Sequence, residues 1–225
     1  MAAGLQVFND SNIIQIDSTY QNYRVYSSGT ATTTSLHPSF GGEGWYGMDF
    51  TANRPNSMLA VRSGVEFISL AGRDGNGNIV HTLLTKGSAS FEYWLFDDGE
   101  PGNPGYGFEV FNEQGRKVFS AAERYLKVLN FTSAPMTLNQ AAQSVNTPGY
   151  TPAVIHCSYS AFFYSTAIVF PGQPPQYGSS ISAAAVNTRG GGMDWRPRVI
   201  QSAAIPRGVT TDLRFCFMVI DVNNI

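Results

Sequence analysis

Three histidines, a run of aspartate and asparagine, a carboxylate cluster and two cysteines are the side chains of this chain with chemistry to offer. A side-chain metal site needs several converging ligands. His37 lies beside Pro38, and His81 and His156 fall in apparent strands, none with a second histidine or a paired carboxylate at ligand spacing. Ordinary core or surface histidines are therefore expected, with no metal and no cofactor. Asp74-Gly75-Asn76-Gly77-Asn78 places oxygen-bearing side chains like the opening of a calcium loop, but Ile79 stands where glycine is needed and Thr85 where a bidentate glutamate is needed. A flexible hairpin turn between Val65–Leu70 and Ile79–Thr85 is the better reading.

Asp97, Asp98 and Glu100 place three carboxylates in one stretch. A glycosidase needs two of them on rigid elements flanking a cleft, one in an apolar pocket, and these stand among Gly and Pro. A solvated turn is expected. No Gly-x-Ser-x-Gly elbow occurs, and Arg189-Gly190-Gly191-Gly192 lacks the Lys-Ser/Thr of a phosphate loop, which leaves it as a mobile loop. Cys157 and Cys216 lie in apparent strands. A disulfide requires those strands to be neighbours; without a secretory signal, two free thiols are the expectation. The chain reads as a non-enzyme.

Aromatic residues beside glycine carry the remaining signal. Trp45 and Tyr46 sit within Gly41–Gly47, Tyr106 and Tyr177 lie in Gly/Pro-rich stretches, and Trp195 precedes Arg196 and Pro197. Side chains of this kind supply contact area with a polar handle, so these six residues, Arg196 included, are the candidates for interface or receptor contact. The alternative is that each tryptophan plugs the end of a sandwich. Phe170–Gly178, with three prolines, is expected as an extended arm or a crossover loop.

The elements that must position these residues are strands. Short β-prone runs bounded by Gly, Pro, Asn or Ser recur along the chain at Tyr23–Tyr26, Ser57–Val61, Ser90–Phe96, Lys117–Ser120, Tyr125–Thr132, Ala153–Phe170, Ser180–Asn187 and Thr211–Val222. Helix signals are confined to Met136–Ser144 and Ser120–Tyr125, both short. Charged residues are 13% of the chain, about half the usual share. A net charge of −2 without a basic run excludes the electrostatic footprint of a nucleic-acid binder. Met1-Ala2-Ala3-Gly4 is not the start of a Sec-type signal, and no apolar stretch is long enough for membrane insertion.

The chain also repeats itself. Gly4-Leu5-Gln6-Val7-Phe8-Asn9 returns 103 residues later as Gly107-Phe108-Glu109-Val110-Phe111-Asn112, and the register runs on to Arg24-Val25 over Lys127-Val128. Both copies read as strand, turn and strand, the turn closed by Gly115 in one and Asn12 in the other, residues tolerant of the left-handed conformation. The expected fold is all-β: two tandem β-sandwich-like modules with very little helix. Residues 1–90 are expected to form the first and 91–225 the second: the Pro- and Gly-rich stretch Asp97–Gly105 is the strongest boundary signal, but Phe91–Phe96 can pair across it onto Gly107–Phe111, which would place that stretch inside the second module.

The Gly-Leu-Gln-Val-Phe-Asn opening, with its turn and the aliphatic strand ending Ile16-Asp17-Ser18, resembles the openings of small tail-associated proteins of tailed bacteriophages. Gly107–Ser120 is similar to the same module in an internal form. The resemblance covers a minority of the chain and carries no catalytic residue. It implies a β-rich virion component of the tail tip, baseplate or fibre region, made in the host cytoplasm. Homo-oligomeric contacts and other phage tail proteins are the implied partners, with a host surface receptor as the alternative.

Overall fold

The structure, a computed structural model, describes residues 6–8, 14–17, 22–102, 107–135, 140–157, 162–168, 176–203, 214–223 and 225, with the backbone alone at 14–17, 162–168, 176–180, 201–203 and 214. A small hairpin, β1 (Gln6–Phe8) and β2 (Ile14–Asp17), comes first. There follow β3 (Arg24–Thr33), β4 (Trp45–Ala52), β5 (Met58–Arg62), β6 (Phe67–Arg73), β7 (Ile79–Lys86) and β8 (Ala89–Asp97). A second small hairpin is made by β9 (Glu109–Phe111) and β10 (Lys117–Ser120). The chain continues through β11 (Val128–Pro135), β12 (Gln143–Asn146), β13 (Pro152–His156), β14 (Phe162–Ile168), β15 (Gln176–Arg189), β16 (Gly192–Ala203) and β17 (Arg214–Asp221).

The larger strands form two antiparallel sheets, β11-β17-β13-β5-β8-β3 and β12-β16-β15-β6-β7-β4, with β14 added on β15. Both orders have the same internal logic. The first module contributes β3-β8-β5 to one sheet and β4-β7-β6 to the other; the second contributes β11-β17-β13 and β12-β16-β15 in matching sequence order. The repeat seen in the hairpins thus extends through the fold, with β14 as the second module's addition. The modules meet edge to edge along thin seams, Val61 opposite Val154 and Ala60 opposite Ile155 in one sheet, Phe67 opposite Val186 in the other.

One boundary moves. β8 pairs along its length with β3 and β5, not with β9, so Phe91–Phe96 completes the first module instead of opening the second at residue 91. The carboxylate stretch after it then connects the modules. Among the described residues neither helix signal yields a helix: 143–146 is β12, 121–123 is a turn between β10 and the Arg24–Tyr125 bridge, and 136–139 lies outside the described residues. Gly41–Glu43 forms a single 3-10 turn.

Alternation fixes which side chains fill the sandwich. Leu59, Val61, Phe91, Leu95, Phe215 and Phe217 from one sheet meet Phe67, Leu83, Val186, Met193 and Trp195 from the other. The outer face of the first sheet is also covered, because Tyr23 and Leu126 from the segments leading into β3 and β11, with Val25 at the start of β3, pack with Ala60, Phe96 and Ile155. On the outer face of the second sheet, Trp45, Ile68, Leu84 and Ile200 form a third cluster with Phe40.

Candidate functional site

Two of the aromatic candidates are inside the protein. Trp45 begins β4 at 0% exposure, its indole N–H donating to Val199 O at 2.9 Å while the Lys86 ammonium lies 5.1 Å from the ring centre. Trp195, in β16, is buried with its ring centroid 3.9 Å from that of Phe215. Neither can touch a partner directly. Both belong to strands that the flanking glycines and Pro197 obscured. Tyr46 is half-buried on β4, where it bridges Leu36. Arg196 is exposed, but it pairs with Glu66, which also takes Nε and Nη2 of Arg198 at 2.8 and 3.0 Å. Partial burial pushes the Glu66 carboxyl up; the hydrogen bonds and charges of Arg198 and Arg196 outweigh it and hold the group below the usual carboxylate range. Tyr177 pairs through its backbone with Ala167, and Tyr106 lies outside the described residues, as do residues 170–175 of the proline tract.

The groups with chemistry are brought together in pairs with structural consequences. His81 Nε2 lies 2.9 Å from Ser57 Oγ, both buried, and burial pushes the imidazole down to about 4. His156 sits edge-on to Phe67 and Phe217, with Nε2 3.2 Å from Ala184 O and Nδ1 buried without a partner. Burial pushes it down to about 4 as well. Asp74 caps the β6–β7 turn by accepting from the Asn76 and Asn78 amides at 2.9 Å, which uses its oxygens within the turn. The expected solvated carboxylate turn is also altered: Asp97 is buried between Arg24 and Arg54, whose Nε atoms are 3.4 and 3.2 Å from its oxygens. Cys157, one residue past β13, and Cys216, in the neighbouring β17, are free thiols. Among the described residues no group of three or more His, Cys, Asp or Glu is placed to hold a metal ion.

A polar cleft of about 350 Å³ opens at the seam between the modules. It is formed where the crossover after β5 meets the β15–β16 turn. Thr188 fastens the two, its amide donating to Ser63 O at 2.8 Å and its hydroxyl oxygen accepting from the Ser63 amide at 2.9 Å. Arg62, Ser90, Glu92 and Arg189 also line it, together with Thr30 of β3 and Phe91 of β8. Arg62 is held by Glu92 at 2.6 Å, and Arg189 by Asn146 and Asp194 at 2.6 and 3.3 Å. The Arg-Gly-Gly-Gly run expected as a mobile loop is this tight turn, with Gly191 at φ 71° and the Thr147 amide bonded to Gly191 O at 2.7 Å.

The two small hairpins form a second kind of surface. In β9–β10, Val110 and Val118 are buried, Asn22 donates to Val118 O at 2.9 Å, and Lys117 reaches Glu109 at 2.6 Å and Gly102 O at 3.1 Å. Phe108 and Phe111 remain more than half exposed. In β1 all three residues are exposed, Val7 and Phe8 included. Scans against protein-family models, curated proteins and solved structures return no match.

Proposed function

We propose that this protein is a non-enzymatic structural component of a bacteriophage tail, in the tip, baseplate or fibre-attachment region, working through contacts between its own copies and with neighbouring tail proteins. The observation that carries the reading is the pair of β-hairpins outside both main sheets, which bear the sequence motif of the resemblance and leave Val7, Phe8, Phe108 and Phe111 open to solvent. Exposed apolar side chains clustered on small elements suit subunit contact. Gold-labelled antibody on intact virions of the source phage tests it. Label at a fixed tail or baseplate position is expected; absence of label from virions would end the reading.

The cleft favours a second reading, a receptor-binding module for a host surface glycan or protein. Hydroxyls, a carboxylate and two guanidinium groups line a space of monosaccharide size. Label at distal fibre tips, together with loss of cell binding in Arg62→Ala and Arg189→Ala, would favour it over the structural reading.

A further inference from the structure

The chain already joins its two repeats edge to edge, β5 against β13 and β6 against β15, always antiparallel. The outer edges of the first sheet are therefore left to β3 and β11. Open edges present unpaired N–H and C=O groups, and proteins ordinarily guard them with lysine, proline, bulges or short length. β3 has little of this. It runs for ten residues, and from Val25 to Leu36 the chain holds neither a charge nor a proline. Its register shift lies at its beginning, between Val25 and Ser27, where Val25 N–H also reaches Arg124 O. Beyond that point, no described strand lies on its outer side, and Ser28, Gly29, Thr30 and Thr32 are exposed. The opposite edge is better guarded, since β11 follows Lys127 and ends in Pro135.

We infer that β3 pairs with β3 of a second copy of this chain, about a two-fold axis, so that the first sheet runs continuously through both copies. A two-fold operation makes the strands antiparallel, as at the internal seams, and covers both unguarded edges in one closed contact. Pairing β3 with β11 would place Pro135 in the ladder and leave an open edge at each end. Ser, Thr, Gly and Ala along β3 allow close approach, and Thr–Ser cross-strand hydrogen bonds suit the polar face, as Thr32 and Ser90 already show at 2.8 Å. This contact rests on the oligomeric part of the proposed function and names its surface.

The test is the mass of the full chain by light scattering and sedimentation over a concentration series, for the wild type, Ser28→Lys/Thr30→Lys on β3, and Ser133→Lys on β11. A dimer is expected for wild type and Ser133→Lys, and a monomer with unchanged circular dichroism for the β3 variant, because four lysines would face one another across the axis. Amides of residues 28–32 should become slower to exchange with deuterium as concentration rises. A wild-type monomer at every concentration overturns the inference while leaving virion labelling to decide the tail reading. A dimer that survives the β3 lysines overturns it too, but keeps self-association, through another face.

Discussion

Tyr23 and Leu126 occupy equivalent places in the repeat, 103 residues apart, and they bond to each other, the Leu126 amide donating to Tyr23 O at 3.0 Å. Antiparallel contact between equivalent residues is what an internal two-fold axis produces. Neighbouring pairs agree with it: Arg24 bridges Tyr125, and the Val25 amide reaches Arg124 O at 2.8 Å. The two lead-in segments thus clasp across the outer face of the first sheet and seal the apolar cluster beneath. Modules joined by such short seams need this clasp.

Asp97 anchors one arm of the clasp. Its buried carboxylate holds Arg24 and accepts from the Gly99 amide at 3.2 Å, while Arg24 also reaches Glu123 at 3.3 Å. Asp97→Ala leaves Arg24 without its buried counter-charge and should cost about 3 kcal/mol of unfolding free energy in urea titrations. Arg54→Ala should cost about 1 kcal/mol or less, since Arg54 is half exposed. Equal losses in the two variants would contradict this division.

Trp45→Ala is expected to act on stability before it acts on any partner. The indole fills the outer cluster of the second sheet and bonds Val199 O, so truncation should cost about 3–5 kcal/mol. Trp45→Phe, which keeps most of the bulk, should lose about 1 kcal/mol for the missing hydrogen bond. A Trp45→Ala protein with an unchanged melting curve would show that the ring is not buried as described.

The tryptophans also mark where the sequence was readable and where it was not. Runs of β-branched and aromatic residues disclosed β5, β7, β8, β10 and β17 close to their true bounds, because alternation and turn residues agreed there. β4 and β16 were missed. Gly44 and Gly47 around Trp45, and Gly190 to Gly192 with Pro197 around Trp195, are turn signals at the ends of strands or breaks within them, and local signals outweighed the tertiary pairing. Gly47 has a packing cause: a Cβ there would come within 2.8 Å of His37 and Leu84. The cleft was invisible for a different reason. Its walls, Arg62 and Arg189, are remote in sequence and meet only because the β5 crossover crosses to the β15–β16 turn.

Two desolvated histidines give the fold an acid limit. His81 and His156 both have folded values pushed down to about 4, against an ordinary value of 6.5, so the unfolded chain binds protons that the folded one does not. Their contribution is therefore fully present above pH 6.5 and declines as pH falls toward 4, by at most about 3 kcal/mol each. Urea midpoints should fall across this window, and His81→Gln should flatten the fall. A midpoint that stays level from pH 7 to 4 would show that the two rings titrate normally.

Cys157 and Cys216 face each other one step beyond the inward pair His156–Phe217, with the Cys157 amide donating to Cys216 O at 2.9 Å. In the first module the corresponding step, beyond inward Val61–Tyr93, is the ion pair Arg62–Glu92. A cross-strand tie at this place thus recurs in different chemistry. Two thiols opposite each other in an antiparallel pair lie within the usual Cα range of a disulfide. With glutathione disulfide as oxidant, they should form Cys157–Cys216 and release two glutathione thiols. Although Cys157 is exposed at the sheet end, partial desolvation of its sulfur, with the neighbouring Cys216 sulfur, pushes the thiol up to about 12, so the reaction should accelerate as pH rises. The closed loop would stabilise the fold by about 4 kcal/mol on chain entropy. Mass spectrometry should find two hydrogens lost from the wild type and none from Cys157→Ser; a wild type that instead stops at mixed disulfides with glutathione would show that the sulfurs cannot meet.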